Sequence, residues 1–259
     1  MRAIILAAGQ GMRLRPYTDD RPKCMVELGG KPLIQHQLDV LTQCGVEDIS
    51  IASGYRADQL ERFGRPCFHN PHYDVTNMVE SLMCARELLD GRDDVLILYA
   101  DIAYEARVLE ALMACDAPFS TAINLDWYEL WRLRMDDPLS DAETLILDDD
   151  DHIVELGKKP KSLEEVQGQY MGLIQVKKEL CPTLLATYDG LDRDATFDGK
   201  DLPNMYMTSF LQILIDAGHP LKAVPVHGGW IEVDTTEDLE EYRRMLEEGL
   251  LRKHWNPGS

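Results

Sequence analysis

Residues 3 to 23 concentrate the side chains that can do chemistry. A short apolar run, Ala3-Ile4-Ile5-Leu6, breaks at Ala7-Ala8-Gly9-Gln10-Gly11-Met12-Arg13-Leu14, and the stretch ends at Arg21-Pro22-Lys23. A buried strand that opens into a small, glycine-punctuated loop lets backbone N–H groups approach a phosphate, which bulky side chains at positions 7 to 11 would block. Arg13 and Lys23 add positive charge beside that loop. The pattern points to a cradle for a nucleoside triphosphate. Two better-known cradles fail. A dinucleotide fingerprint needs a third glycine, and Gly9 and Gly11 are followed by Leu14; a Walker loop needs Lys-Ser or Lys-Thr, and Gly29-Gly30-Lys31 is followed by Pro32. An ordinary strand and Gly turn would account for Gly9 and Gly11. It would not account for Arg13, Pro16, Pro22, Lys23 and Gly30-Lys31-Pro32 arriving in this order.

The run Leu6-Ala7-Ala8-Gly9-x-Gly11-x-Arg13-Leu14-x-Pro16-x-Thr18, then Pro22-Lys23, then Gly30-Lys31-Pro32, resembles the signature of the sugar-1-phosphate nucleotidyltransferase superfamily. Asn70-Pro71-x-Tyr73-x-x-Thr76-Asn77-x-x-x-Ser81-Leu82 is similar to its cytidylyltransferase branch. So are Trp127 to Arg132, Pro138-Leu139-x-Asp141-Ala142-Glu143 and Glu155-Leu156-Gly157-Lys158-Lys159. That branch activates phosphocholine, 2-aminoethylphosphonate and related phosphonates with CTP, and a relative uses phosphorylated glutamine.

The resemblance implies a Rossmann-like three-layer α/β/α fold with a mainly parallel mixed sheet. It implies Arg13 and Lys23 as catalytic cations and Leu6, Ala7, Ala8, Gly9 and Gly11 against the nucleotide, with Ser53, Gly54 and Ser81 expected near the base. It assigns Mg²⁺ to Asp101, in Tyr99-Ala100-Asp101, and to Asp234, in Trp230-x-Glu232-Val233-Asp234-Thr235. Two carboxylates beside a triphosphate suit a hard cation that keeps several waters. The implied reaction is attack by an acceptor oxyanion on the α-phosphorus of an NTP, with pyrophosphate leaving. An acceptor phosphate or phosphonate is mostly ionised near neutral pH and needs no general base. Catalysis is then positioning plus charge neutralisation, and the seven histidines, scattered along the chain, need no role in it.

The acceptor is less constrained. Choline would want an aromatic cage, which Trp127, Tyr128, Trp131 and Trp230 could build. Asp141 and Glu143 could hold an ammonium or pair with nearby bases. A compact anionic phosphonate or phosphomonoester bound by Lys158 and Lys159 is the expectation adopted. Two alternatives stay open: a sugar-1-phosphate nucleotidyltransferase using UTP or dTTP, and a nucleotide-binding regulatory module without chemistry.

The elements that must position these residues alternate. Strands are expected at 3–6, 48–52, 67–69 and 94–100, and helices from Pro32 to Gly45, after an Asn77/Glu80 capping pair, and over 105–115. This spacing predicts a right-handed, mainly parallel α/β sheet, whose ligands sit at the carboxyl ends of strands. Strands at 119–125 and 169–176 and a hairpin around Asp148-Asp149-Asp150-Asp151 predict an antiparallel extension holding the acceptor. Residues 181–218 read as mostly helical, 222–226 as a last strand, Thr236 as the cap of a final helix, and 254–259 as frayed. The expected unit is one domain over 1–252, with a nucleotide-binding half (1–118), an acceptor-binding half (119–235) and a C-terminal helix (236–252).

Composition narrows the class. Of 259 residues, 45% are hydrophobic, enough for a large core. Net charge is −20, which argues against nucleic acid and anionic membranes as partners. Residues 1–31 nevertheless carry six basic against three acidic side chains, a local patch suited to NTP-Mg²⁺. No apolar run is long enough to span a bilayer, and the six cysteines lack zinc spacing, so a cytoplasmic protein with free thiols is expected. A homodimer is left open.

Overall fold

A computed structural model describes residues 1–258. The chain begins with β1 (Arg2–Ala7), a tight turn over Lys23–Met25, and a small hairpin of β2 (Glu27–Leu28) and β3 (Lys31–Pro32) leading into α1 (Leu33–Gln43). Next come β4 (Asp48–Ser53), β5 (Cys67–His69), α2 (Met78–Cys84), β6 (Val95–Tyr99), β7 (Ile102–Tyr104), α3 (Ala106–Met113) and β8 (Phe119–Asn124). Then follow α4 (Trp127–Arg134), the hairpin β9 (Leu145–Leu147) and β10 (His152–Leu156), β11 (Gln169–Val176), and α5 (Cys181–Asp189). The remainder is a hairpin of β12 (Thr196–Phe197) and β13 (Lys200–Asp201), α6 (Met207–Asp216), β14 (Leu221–Val226), β15 (Trp230–Glu232) and α7 (Thr236–Glu247).

Nine strands form one sheet in the order β5-β4-β1-β6-β11-β8-β14-β10-β9. The first four are parallel, as are β8 and β14, while β11 and β10 run against their neighbours. On β1, Ala3, Ile5 and Ala7 belong to one core and Ile4 and Leu6 to the other. A strand buried on both faces reads as a continuous apolar run, because alternate side chains feed two layers. The first core takes α1, α3, α4 and α7; the second takes α2, α5 and α6. This is the three-layer α/β/α arrangement expected. The later segment adds its antiparallel strands inside the sheet as well as at its edge, since β11 lies between β6 and β8.

Several local expectations are corrected. Residues 196–201, read as helical, form the β12–β13 hairpin. β14 is not the last strand: β15 follows and pairs antiparallel with β7. Thr235 rather than Thr236 caps α7, because Asp238 stands three residues after it and closes a reciprocal capping box. At α2 the Asn77 side chain accepts the Met78 N–H, and Glu80 accepts the Tyr188 hydroxyl instead of closing a box. The tail is docked at Trp255, which is 1% exposed and sits edge-on to His36. His254 also gives its carbonyl to the Trp230 N–H at 2.9 Å. Ser259, the last of the stretch read as frayed, lies outside the described residues. All six cysteines are free thiols. Among the described residues, no helix is long and apolar enough to cross a membrane.

Candidate active site

β1 delivers its carboxyl end, residues 6–9, to a cavity of about 110 Å³ that also takes Lys23, Tyr73, Thr76, Asn77, Met78, Ser81 and Asp101 into its wall. Gly11 has φ +65°, and a Cβ there would lie 2.9 Å from the Lys23 Cβ. Only glycine adopts that conformation cheaply and lets the loop close on Lys23. Thr18 fixes the loop by donating its hydroxyl to the Gly11 carbonyl at 2.7 Å. Gly54 is a packing residue: a Cβ there would meet Tyr73 at 2.6 Å and the Ala8 carbonyl at 2.7 Å. Ser53 is fully buried behind the wall. Of the three residues expected near the base, Ser81 alone faces the cavity. Asn70 holds the motif around it, donating to the Thr76 and Ser81 hydroxyls at 2.9 and 3.1 Å.

Asp101 and Asp234 converge, which no spacing in the chain could reveal. Asp101 stands in the turn between β6 and β7. The β7–β15 ladder brings the second segment alongside, and the Val233 N–H bonds the Asp101 carbonyl at 2.9 Å. Gln37, fully buried on α1, braces the turn by donating to the carbonyls of Tyr99 and Ile102, both at 2.9 Å. The Lys23 ammonium lies 2.7 Å from a carboxylate oxygen of each aspartate, and Arg13 contacts the other oxygen of Asp234. Burial opposes the charge on Lys23, but Asp101, Asp234 and Glu232 outweigh it and raise its pKa. Burial would likewise raise Asp234; Lys23 and Arg13 overcome it and hold the carboxyl below its usual range. Asp101 Oδ1 is buried and has no hydrogen-bond partner among the described residues. An orphaned carboxylate oxygen beside a second carboxylate fits a divalent cation, which would meet two protein oxygens here and take its other ligands from phosphate and water.

A second cavity, of about 200 Å³, opens next to the first and shares Tyr99 and Met78 with it. Its wall includes Arg13, Trp131, Asp141, Glu143, Tyr170, Gly172, Tyr206, Thr208, Trp230, Glu232 and Asp234. Gly172, at φ +71° where β11 shifts register, carries the Tyr99 ring so closely that a Cβ would lie 2.6 Å from it. The ring is thereby laid between the cavities. Trp131 and Trp230 stack with centroids 6.1 Å apart and planes 8° apart. Burial, with Asp141 and Asp198 adding to it, pushes the Glu143 carboxyl up to about 7. The second cavity is thus acidic and aromatic.

Lys158 and Lys159, the bases expected to bind the acceptor, stand elsewhere. Both are exposed; Lys158 pairs with Glu155 at 2.9 Å, and Lys159 donates to the carbonyls of Leu139 and Ser140 at 2.5 and 2.6 Å. Ammonium groups on a sheet-edge turn satisfy themselves with the nearest carboxylate and carbonyls. Trp127 is buried, with its indole N–H on the Val166 carbonyl, and Tyr128 faces solvent, so neither completes a cage.

The chain is 39% identical over 249 residues to the CTP:phosphoglutamine cytidylyltransferase of Campylobacter jejuni, a match covering 93% of this chain and 98% of that one. The chain belongs to the nucleotidyltransferase family. The family model for the MobA-like NTP transferase domain matches residues 3–129 of this nucleotidyltransferase. A second relative, the CMP-5'-(3-aminopropyl)phosphonate synthase of Streptomyces rubellomurinus, is 34% identical over 131 residues, 48% of this chain and 20% of that one. The solved structure of the CTP:phosphocholine cytidylyltransferase of Streptococcus pneumoniae superposes with a TM-score of 0.71 at 22% identity, covering 95% and 98% of the two chains, and bears on the fold.

Sequence inspection missed several residues of the nucleotidyltransferase's two cavities. Gly172 had a signal, since an isolated glycine inside the apolar run 170–176 marks a bulge or a close approach. Glu232, a carboxylate between Ile231 and Val233, was another legible oddity. Met78 and Tyr99 line both cavities without a sequence signal, and Gln37, which braces the Asp101 turn, looks like an ordinary helix residue.

Proposed function

We propose that this nucleotidyltransferase transfers CMP from CTP to a small phosphomonoester or phosphonate that also bears a cationic amine, releasing pyrophosphate. The observation that carries this is the second cavity. It meets the first cavity at Tyr99 and Met78, offers Asp141, Glu143 and Glu232, and has stacked indoles in its wall. Such a cavity suits an ammonium group and repels a purely anionic acceptor. Phosphocholine, aminopropylphosphonate and a phosphorylated amino acid, the compounds in the relatives' names, all carry one. Residues 1–252 are read as one catalytic unit working in the cytoplasm.

In this scheme the backbone of residues 8–11 receives the triphosphate, and Arg13 and Lys23 leave their carboxylate partners to neutralise it. Asp101 and Asp234 would hold Mg²⁺, which supplies charge neutralisation at the reacting phosphates when bound. The amine is held by Glu143 and Asp141 so that the acceptor's phosphate or phosphonate oxygen points past Tyr99. That oxygen forms the new bond to the α-phosphorus while the bond to the bridging oxygen breaks, and pyrophosphate carries away the electron pair. Two anions meet in this step, so the cations supply the main electrostatic help.

The test is pyrophosphate release with Mg²⁺, crossing the four NTPs with phosphocholine, 2-aminoethylphosphonate, phosphorylated glutamine, phosphonoformate and glucose-1-phosphate. Release with CTP and an amine-bearing acceptor is expected. Release with phosphonoformate alone would overturn the role given to Glu143. Release with UTP or dTTP and the sugar phosphate would replace the proposal with the other branch.

A further inference from the structure

One buried ion network runs behind the wall of the second cavity and reaches Lys23, in the wall of the first, through Asp234. Arg134, the last residue of α4, has a side chain only 2% exposed. Its guanidinium donates to both carboxylate oxygens of Asp238, at 2.9 and 3.1 Å, and to Glu232 at 3.3 Å. It also lies 4.8 Å from the centroid of the Trp131 ring, in the wall of the second cavity. Asp238 is itself shared: the oxygen that takes one Arg134 bond also accepts the backbone N–H of Asp234 at 3.0 Å and of Thr235 at 2.9 Å. The loop that aims Asp234 therefore hangs on a carboxylate whose other partner is a guanidinium laid on Trp131, in the same cavity wall as Asp234.

A buried ion pair is a weak source of stability beside apolar side chains of the same volume. What this one supplies is orientation. A planar fork that binds two oxygens and an aromatic face at once is something arginine does and lysine does not. We propose that Arg134 is a positioning residue: through Asp238 it fixes the aim of Asp234, and by lying on Trp131 it ties that aim to the wall of the second cavity. This rests on Asp234 being a carboxylate for the triphosphate's divalent cation, as proposed above.

The experiment uses the full chain as wild type, Arg134→Lys, Arg134→Met and Asp238→Asn, with near-UV circular dichroism and melting to identify the folded variants. Mn²⁺ binding is read by electron paramagnetic resonance without any acceptor, and kcat and acceptor KM are measured separately. In the folded variants, Mn²⁺ affinity and kcat should fall about 10–100-fold, the range for residues that orient metal ligands, and any rise in acceptor KM, through Trp131 and Glu232, should be smaller than the fall in Mn²⁺ affinity. Arg134→Lys, which keeps the charge and loses the fork, should not rescue either. If Arg134→Met does not fold, Arg134→Lys and Asp238→Asn decide. Wild-type Mn²⁺ affinity and kcat in folded Arg134→Lys would overturn the inference, as would a change confined to acceptor KM. A wild type that takes up no Mn²⁺ would instead sink the cation assignment on which it rests.

Discussion

Lys23→Met separates the two tasks assigned to that ammonium. Lys23 is nearly buried and stands 2.7 Å from both Asp101 and Asp234. Removing one partner of a buried pair costs about 3–5 kcal/mol, mainly because the remaining charge is left uncompensated. Here two carboxylates would be left, one of them already holding an unpartnered oxygen. At roughly 2–4 °C per kcal/mol for a chain near this size, the melting temperature without divalent ions should drop by about 6–20 °C. The same substitution vacates the position between the carboxylates. A divalent cation no longer has to displace the ammonium, and relief of even about 3 kcal/mol is worth roughly 100-fold in affinity. Mn²⁺ should therefore bind the variant more tightly than wild type, and should recover more of its melting temperature. Turnover should nevertheless collapse, because the cation facing the triphosphate is gone. Melting curves with and without Mn²⁺, with the metal titrated by electron paramagnetic resonance, give both quantities. Unchanged stability in metal-free buffer, or weaker Mn²⁺ binding, would refute the idea that Lys23 stands between the carboxylates as a substitute charge.

Four further outcomes are expected. Glu143 stays protonated in the fold to about pH 7 while an unfolded chain ionises near 4.3, so its contribution to stability is complete below that lower value and is lost as pH rises to about 7. The loss is about 4 kcal/mol, and Glu143→Gln should abolish that slope in urea melts across pH 4–8. In wild type, acceptor KM should fall as pH rises through about 7, where an ionised Glu143 meets the amine, and Glu143→Gln should flatten this profile. Lys158→Ala and Lys159→Ala should leave acceptor KM within about twofold in steady-state assays, since both side chains are occupied outside the cavity. Gly11→Ala should lower stability by about 1–2 kcal/mol at its positive φ and cut kcat by displacing Lys23, measured by melting and pyrophosphate release.

The sheet was legible because its strands are short apolar runs ended by glycine or by a carboxylate, and the glycine loop because its small residues admit one main explanation. Residues near in sequence, such as Ala8 and Gly9 or Asn77 and Ser81, line the same cavity. What stayed hidden depends on contacts across long separations. The meeting of Asp101 with Asp234 follows from the β7–β15 ladder, and β15 is three residues long, too short for periodicity to mark. Lys158 and Lys159 misled for the opposite reason: a pair of bases in a suggestive motif carries no information about which way its side chains turn. The docked Trp255 looked frayed because a polar tail with one indole gives no pattern.

The place of β11 between β6 and β8 has a consequence for how specificity can change. β6 ends two residues before Asp101, and β11 carries Gly172 and Tyr170 in the wall of the neighbouring cavity. Two hydrogen-bonded strands lie about 4.8 Å apart in any sheet. The separation of the two cavities is therefore a lattice constant of the fold, fixed when the chain folds and indifferent to what occupies either one. Substitutions in the loops above can alter which amine or which base is admitted without moving the point at which the two meet.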